Sequence, residues 1–385
     1  MHAICLKWIY QNITLNDPAQ VIRFFRTVNS RPEVSDSVRE FDMSWAPRIP
    51  LKSFYATVKS AVSRLNNVRI LRLPISPLLL QLFSDAHFPQ LSQCALPSSV
   101  GIMSFLDRHR QISTLRVLPC DGALGLLEAF QLTSAIPLIH MPKLRQFEGP
   151  AIVAFSVVPG SSTSHLTIYW DAASTGNLSY GLAGIARSNV DIVRFTNVVY
   201  TWDRGLLSAV TNHLPRLKEL VVYLGVAPDP QGKEPFLSSI DNTLRSLPFL
   251  RGLVILEQFP QASRESDLDQ ECYTICRWGE ISSALQFVIL SSETTWTRLS
   301  GLWLPSSEPP LQGIEDFNLK WLLRAVVTLP TLPPQYLTFA EGLVGKEGIL
   351  AVKKAIENDG VVPDFVMTTD SKDGRQRLSF IVSGF

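Results

Sequence analysis

The sequence predicts an α/β solenoid: a curved parallel sheet with helices on its outer side, irregular in its repeat and closed by a C-terminal cap. Three observations predict it. One apolar strand-opening pattern keeps returning along the chain. Segments with helical spacing separate its copies. A proline turn joins helix to strand, as in "HLPRLKELVV" (213–222) and "SLPFLRGLVI" (246–255). One helix–turn–strand unit cannot bury both its strand face and its helix face, whereas stacked neighbours can.

Each copy carries three apolar residues spaced L-x-x-L-x-L. Val68, Leu71 and Leu73 form the first, Leu91, Cys94 and Leu96 the second, and Ile112, Leu115 and Val117 the third. Leu217, Leu220 and Val222 follow in the first quoted stretch, then Leu250, Leu253 and Ile255, and last Leu285, Val288 and Leu290. "HMPKLRQFEG" (140–149) is a partial copy with Leu144, Phe147 and Gly149 in the three slots, and weaker copies open at Leu166 and Ile192. The opening residues stand 21 to 35 positions apart. Leucine-rich repeats run about 20–29 residues, and a loop insertion on one face lengthens a unit without breaking the stack. The pattern therefore predicts a leucine-rich-repeat-like array over 51–305. Within each triplet the last two apolar residues lie two apart, the spacing of a strand with one buried face. The alternative, an α/β sandwich of irregular β-α units, rarely repeats one strand-opening motif at such steps.

The intervening segments read as helices. "LKSFYATVKSAVSRL" (51–65) sets Leu51, Phe54, Val58, Val62 and Leu65 on one stripe. "DRGLLSAVTNHL" (203–214) does the same with Leu206, Leu207, Val210 and Leu214 behind an N-cap at Asp203, as does "FLSSIDNTLRSL" (236–247). Proline after these segments ends the helix, because it disfavours the α conformation in the residue before it. Residues 1–50 read as an N-terminal capping segment: a helix from Pro18 capped by Asp17, a turn at Arg31-Pro32, and a strand with Val38, Phe41 and Met43. Residues 306–385 read as a Pro-rich linker and C-terminal cap. In this reading 303–334 is irregular, 345–360 is a helix closed by Asp359-Gly360, and 377–385 is a last strand.

Composition narrows the function. The 385 residues are 46% hydrophobic and 18% charged with a net charge of +1, enough apolar content for a large core. A charge near zero gives no long-range pull toward nucleic acid, so no nucleic-acid partner is expected. The five cysteines are odd in number and mostly far apart, which speaks for a reducing compartment. No secretory signal is expected, and no uninterrupted apolar run reaches the roughly 18 residues a membrane span needs. The expected location is intracellular, cytoplasmic or nuclear, with no membrane partner.

No residue set rises to a reaction, and no cofactor or metal is expected. His109, His140 and His213 stand just before strand-opening motifs, a repeated structural position, and are expected to bond backbone or stay solvated. Cys272 and Cys276 lie four apart in "ECYTICRW" without the second Cys/His pair that zinc needs. "GLVGKEG" (342–348) has Glu347 where a phosphate loop needs Ser or Thr, and "PGSST" (159–163) lacks G-x-S-x-G. "SRESDLDQE" (263–271) reads as a solvated loop. The binding candidates are Trp170 and Trp202, which follow strand positions and can reach a rim, and Lys218 and Glu219, which lie between core positions. The chain thus reads as a non-enzymatic interaction module for a protein client. The alternative is an enzyme of an unrecognised α/β class with a cleft near Cys272 and Cys276.

"FLDRHRQISTLRV" (105–117), "LRQFEGPA" (144–151), "HLPRLKELVV" and the Trp-rich "TTWTRLSGLWLP" (294–305) resemble the F-box/leucine-rich-repeat-like proteins of mushroom-forming fungi. The likeness covers about residues 8 to 305. It implies a substrate receptor of an F-box-type ubiquitin ligase, in which an N-terminal F-box docks a Skp-type adaptor and the repeats choose the client. "CLKWIYQNITL" (5–15) resembles the segment just downstream of that module, and the four residues before Cys5 leave no room for it. The resemblance therefore carries over the receptor half, with a Skp-type adaptor only where an F-box lies upstream.

Overall fold

The structure, a computed structural model, describes residues 7–47, 52–99, 101–119, 137–170, 178–199, 201–224, 230–257, 265–290, 292–306, 318–360, 362–363, 365–369 and 376–380. The chain divides into two compact units, Met1–Phe249 and Leu250–Phe385.

The first unit is built on parallel strands that pair in chain order. They are β1 (Asn12–Leu15), β2 (Glu40–Met43), β3 (Ile70–Arg72), β4 (Gln93–Pro97), β5 (Thr114–Leu118), β6 (Gln146–Pro150), β7 (His165–Tyr169), β8 (Arg194–Val199) and β9 (Glu219–Leu224). Its helices are α1 (Pro18–Ser30), α2 (Pro32–Ser35), α3 (Lys52–Val62), α4 (Pro77–Ser84), α5 (Ile102–Arg108), α6 (Ala151–Val157), α7 (Leu178–Ile185), α8 (Arg204–His213) and α9 (Pro230–Ser246). Helix starts follow the expected chemistry. The Asp17 carboxylate accepts from the Gln20 N–H at 2.9 Å, and that of Asp203 accepts from Gly205 at 2.7 Å. At the end of α8 the Leu214 N–H reaches Val210 O at 2.8 Å, then Pro215 turns the chain into β9.

The apolar triplets fall into register. The middle residues Phe41, Leu71, Cys94, Leu115, Phe147, Leu166, Phe195 and Leu220 stand directly opposite one another across successive strands, and all are buried. The opening residues Val38, Val68, Leu91, Ile112, Leu144, Ile192 and Leu217 are buried beneath them. Each such side chain withdrawn from water contributes about 1.5–3 kcal/mol. One assignment shifts. Leu166 occupies the middle column, and buried Thr163 takes the opening slot, its hydroxyl donating to Leu144 O at 3.3 Å and meeting Ser161 Oγ at 2.7 Å. A polar residue satisfied inside the core hides that copy from an apolar pattern. Gly149 fills a third slot for a steric reason: a Cβ there would lie 2.8 Å from Val117 Cβ. Strand β1, which the sequence reading missed in "NITL", pairs with β2 from Asn12↔Glu40 to Leu15↔Met43.

In the second unit β10 (Gly252–Glu257) and β11 (Phe287–Ile289) are parallel, with Leu253 opposite Val288. Helix α10 (Glu265–Ile281) lies between them in sequence, so the charged run 263–271 opens a helix from Glu265 instead of forming a loop. Glu271 explains it: its buried carboxylate accepts from Ser292 N at 3.0 Å, Ser292 Oγ at 2.6 Å and Trp296 Nε1 at 3.0 Å. Strands β12 (Thr295–Leu299) and β13 (Leu302–Pro305) turn antiparallel through Ser300 (φ 49°) and Gly301 (φ 88°), the two left-handed residues of a tight hairpin. Within the stretch expected to be irregular, α11 (Leu319–Thr328) forms behind the Asn318 side chain, which accepts from Trp321 N at 3.0 Å. Its buried stripe of Leu319, Trp321, Leu322, Leu323 and Ala325 outweighs the flanking prolines. Helix α12 (Pro334–Asp359) kinks at Gly345 (φ 74°) and ends, as expected, at left-handed Gly360 (φ 71°). Strands β14 (Phe365–Thr369) and β15 (Gln376–Phe380) pair antiparallel, and residues 381–385 of the expected last strand lie outside the described residues.

Leu220→Ala removes a fully buried side chain from the middle column and is expected to cost about 2–5 kcal/mol. Exposed Lys218→Ala is expected to stay within about 0.5 kcal/mol. Urea denaturation of the two variants beside the parent checks the contrast.

Candidate interaction face

Side chains alternate along a strand, so the residues between the buried columns of the first unit point to the opposite face. From β2 to β9 they form two rows in direct register. The first runs Glu40, Ile70, Gln93, Thr114, Gln146, His165, Arg194 and Glu219; the second runs Asp42, Arg72, Ala95, Arg116, Glu148, Thr167, Thr196 and Val221. The first row is half-buried or exposed throughout, and the second is so up to Thr196. Cross-strand ion pairs join Arg72 to Asp42 at 3.5 Å, Arg116 to Glu148 at 2.9 Å and Arg194 to Glu219 at 3.3 Å. Half-exposed pairs of this kind contribute little to stability. The Tyr169 hydroxyl donates to Glu148; burial first, then that carboxylate, push the phenol up to about 12. At the C-terminal ends of β2 to β5 a groove of about 550 Å³ opens, lined by Asp42, Arg72, Ile75, Ala95, Arg116 and Leu118 among others.

The residues expected to bind divide. Glu219 lies on this face and pairs with Arg194, and Lys218 is exposed just before it. Trp170 does not reach a rim. It follows Tyr169 on the buried parity, is 1% exposed, and donates its indole N–H to Asn197 Oδ1 at 3.0 Å. Trp202 is half-buried and packs on Phe236 of α9, ring centroids 5.0 Å apart. The structure thus brings neither tryptophan to the face, and puts Arg72, Ala95 and Arg116 there instead. The sequence held a signal for these three: each is the x of an L-x-L pair, in "LRL", "CAL" and "LRV".

Several titratable groups elsewhere are bonded to their neighbours. His109 is fully buried; Nε2 accepts from Phe88 N at 3.0 Å and Nδ1 meets Phe105 O at 2.7 Å, so the ring is neutral with its proton on Nδ1. Burial lowers its pKa to about 4. His213 meets Ser179 Oγ at 3.1 Å, and His140 is exposed. The Cys272 and Cys276 sulfurs lie 3.9 Å apart, with Cys276 Sγ 3.5 Å from the Tyr336 hydroxyl. Tyr336 donates its one proton to Trp303 O at 2.9 Å and accepts from Trp303 N at 2.9 Å. The hydrogen bond from Cys272 lowers the Cys276 thiol, and the same contact with burial raises Cys272. Among the described residues no group of three or more His, Cys, Asp or Glu is placed to hold a metal ion, and no helix is long and apolar enough to cross a membrane. No protein-family model matches the chain, and no curated protein matches it significantly.

His109 makes stability pH-dependent with a defined sign. Its folded pKa lies below the value of about 6.5 in the unfolded chain, so the unfolded state binds more protons between the two. This contribution is intact above pH 6.5 and is lost as pH falls toward 4, by up to about 3 kcal/mol at about 1.4 kcal/mol per pH unit. Chemical denaturation from pH 7 to 4 is expected to show a shallower loss in His109→Phe than in the parent.

Proposed function

We propose that this chain is a non-enzymatic protein-interaction module, a leucine-rich-repeat-type solenoid whose open strand face receives a protein client. The observation that carries it is the pair of outward rows held in register across eight successive strands, β2 to β9. A face set by backbone pairing is preorganised, so binding loses little conformational freedom in the receptor. Its mixed-sign ion pairs suit a protein surface better than a phosphate backbone, which calls for clustered cations. The likeness to fungal F-box/leucine-rich-repeat proteins makes client selection for ubiquitin ligation the role in view, inside the cell, with a Skp-type adaptor where an F-box precedes the chain.

The test is quantitative affinity capture with three forms of the chain. Gln146→Arg with Thr167→Arg crowds the face, whereas Asn212→Arg alters an exposed position on α8. The face variant is expected to lose at least tenfold of a reproducible set of proteins that the parent and the α8 variant both retain, with unfolding midpoints unchanged. Equal capture by all three would overturn the reading.

A second reading, a thiol enzyme of an α/β class, draws on the 3.9 Å contact that lowers the Cys276 thiol. Cys272→Ser with Cys276→Ser separates the two readings: full stability together with full client capture sinks the thiol site.

A further inference from the structure

The second outward row contains an ordered charge array. Asp42, Arg72, Ala95, Arg116 and Glu148 stand directly opposite one another on five successive strands, in the order acid, base, gap, base, acid. Each arginine leans on its outer acid, Arg72 on Asp42 and Arg116 on Glu148, and both guanidiniums are about half exposed. Two strand spacings put the arginine backbones about 10 Å apart, with only the Ala95 methyl between them. An anion seated over Ala95 completes the alternation of charge, and the two half-exposed arginines, turning inward from their acids, offer guanidinium donors to a carboxylate.

The gap is also the floor of the groove of about 550 Å³. Its lining carries Asp42, Arg72 and Arg116, with Glu148 against Arg116 just outside it, and the rest is mainly apolar: Leu73, Pro74, Ile75 and Leu118 lie within the same depression. Ile75 is 59% exposed, an uncovered aliphatic side chain in the same groove as the two arginines. A ligand that satisfies both halves carries a carboxylate and an apolar side chain within one residue of each other. The terminal residue of a polypeptide has that chemistry, because its α-carboxylate and its side chain leave the same carbon.

We infer that the groove over Ala95 receives the free C-terminus of a partner protein, its terminal carboxylate held between Arg72 and Arg116 and its apolar last side chain against Ile75 and Leu118. This rests on the interaction reading above and names the part of the client that is recognised. The arginines grip the carboxylate at half-exposed positions, so the binding weakens with added salt.

The probes are fluorescein-labelled decapeptides ending in Leu, Ile, Val or Phe, each prepared as the free acid, as the C-terminal amide, and as an amide with a Glu inside the sequence. Fluorescence anisotropy with the full chain is expected to give binding by at least one free acid, weakened tenfold or more by amidation. Arg72→Gln with Arg116→Gln is expected to lose that binding, as is Ala95→Leu, which fills the gap without touching a charge. Thermal unfolding verifies that both variants remain folded. The inference is overturned if acids and amides bind alike, if no acid binds, if the internal-Glu amides bind as well as the acids, or if folded variants bind as the parent does. In those cases loss of client capture by Gln146→Arg with Thr167→Arg still upholds the interaction reading, so the two failures are told apart.

Discussion

One backbone arrangement sets everything else in the first unit: a single carbonyl at each strand opening accepts two consecutive N–H groups from the next strand. Gln11 O takes Arg39 and Glu40, Arg39 O takes Arg69 and Ile70, and Arg69 O takes Ser92 and Gln93. The relay passes through Ser92, Ser113, Arg145, Ser164 and Val193, where Lys218 and Glu219 close it, with distances from 2.7 to 3.2 Å. Both partners at each step are main-chain atoms, so the side chains at these positions are free to vary. A one-residue slip would put every apolar column on the open face. The paired N–H groups resist that slip at the point where each strand begins, and the buried middle column resists it along the strand.

This explains which parts of the fold were legible in the sequence. The triplets beginning at Val68, Leu91, Ile112 and Leu217 could be read because burial demands apolar residues at fixed offsets from the relay. The copy at Thr163 could not, because Ser161 and Leu144 satisfy its hydroxyl within the core, and hydropathy does not encode such a bond. Strand β1 was too short for a period. Helix α11 was masked by the prolines around it, and α10 by its acidic start, whose carboxylates bond across long sequence separations: Glu271 to Trp296, and Asp269 to Trp321 Nε1 at 3.1 Å and Arg324 at 3.0 Å. Pattern arguments reach neighbours in the chain and stop at such bonds.

The candidate site was legible only indirectly. Trp170 and Trp202 drew attention for their residue type, yet parity decides where a strand side chain goes. Trp170 follows Tyr169, falls on the buried side, and spends its one donor on Asn197. Arg72, Ala95 and Arg116 draw no attention singly. Their meaning lies in being adjacent across strands that stand 21 to 23 residues apart in the chain, a relation fixed by the register and by no local motif.

The same register separates the groups that hold the fold together from those on the open face. Three groups with shifted titration have their atoms committed to neighbours: His109 to Phe88 and Phe105, Tyr169 to Glu148, Tyr336 to both the N–H and the carbonyl of Trp303. His109 holds the end of α5 to the loop before β4, Tyr169 joins strand to strand, and Tyr336 joins α12 to β13. At these three groups perturbed titration follows from packing. The outward rows are the reverse case. Their ion pairs are half exposed, contribute little to folding, and persist through the core's demands without serving them. Folding alone would be served by any polar residue at the x of each L-x-L pair. What the backbone relay adds is a fixed spacing between those residues and therefore between their charges.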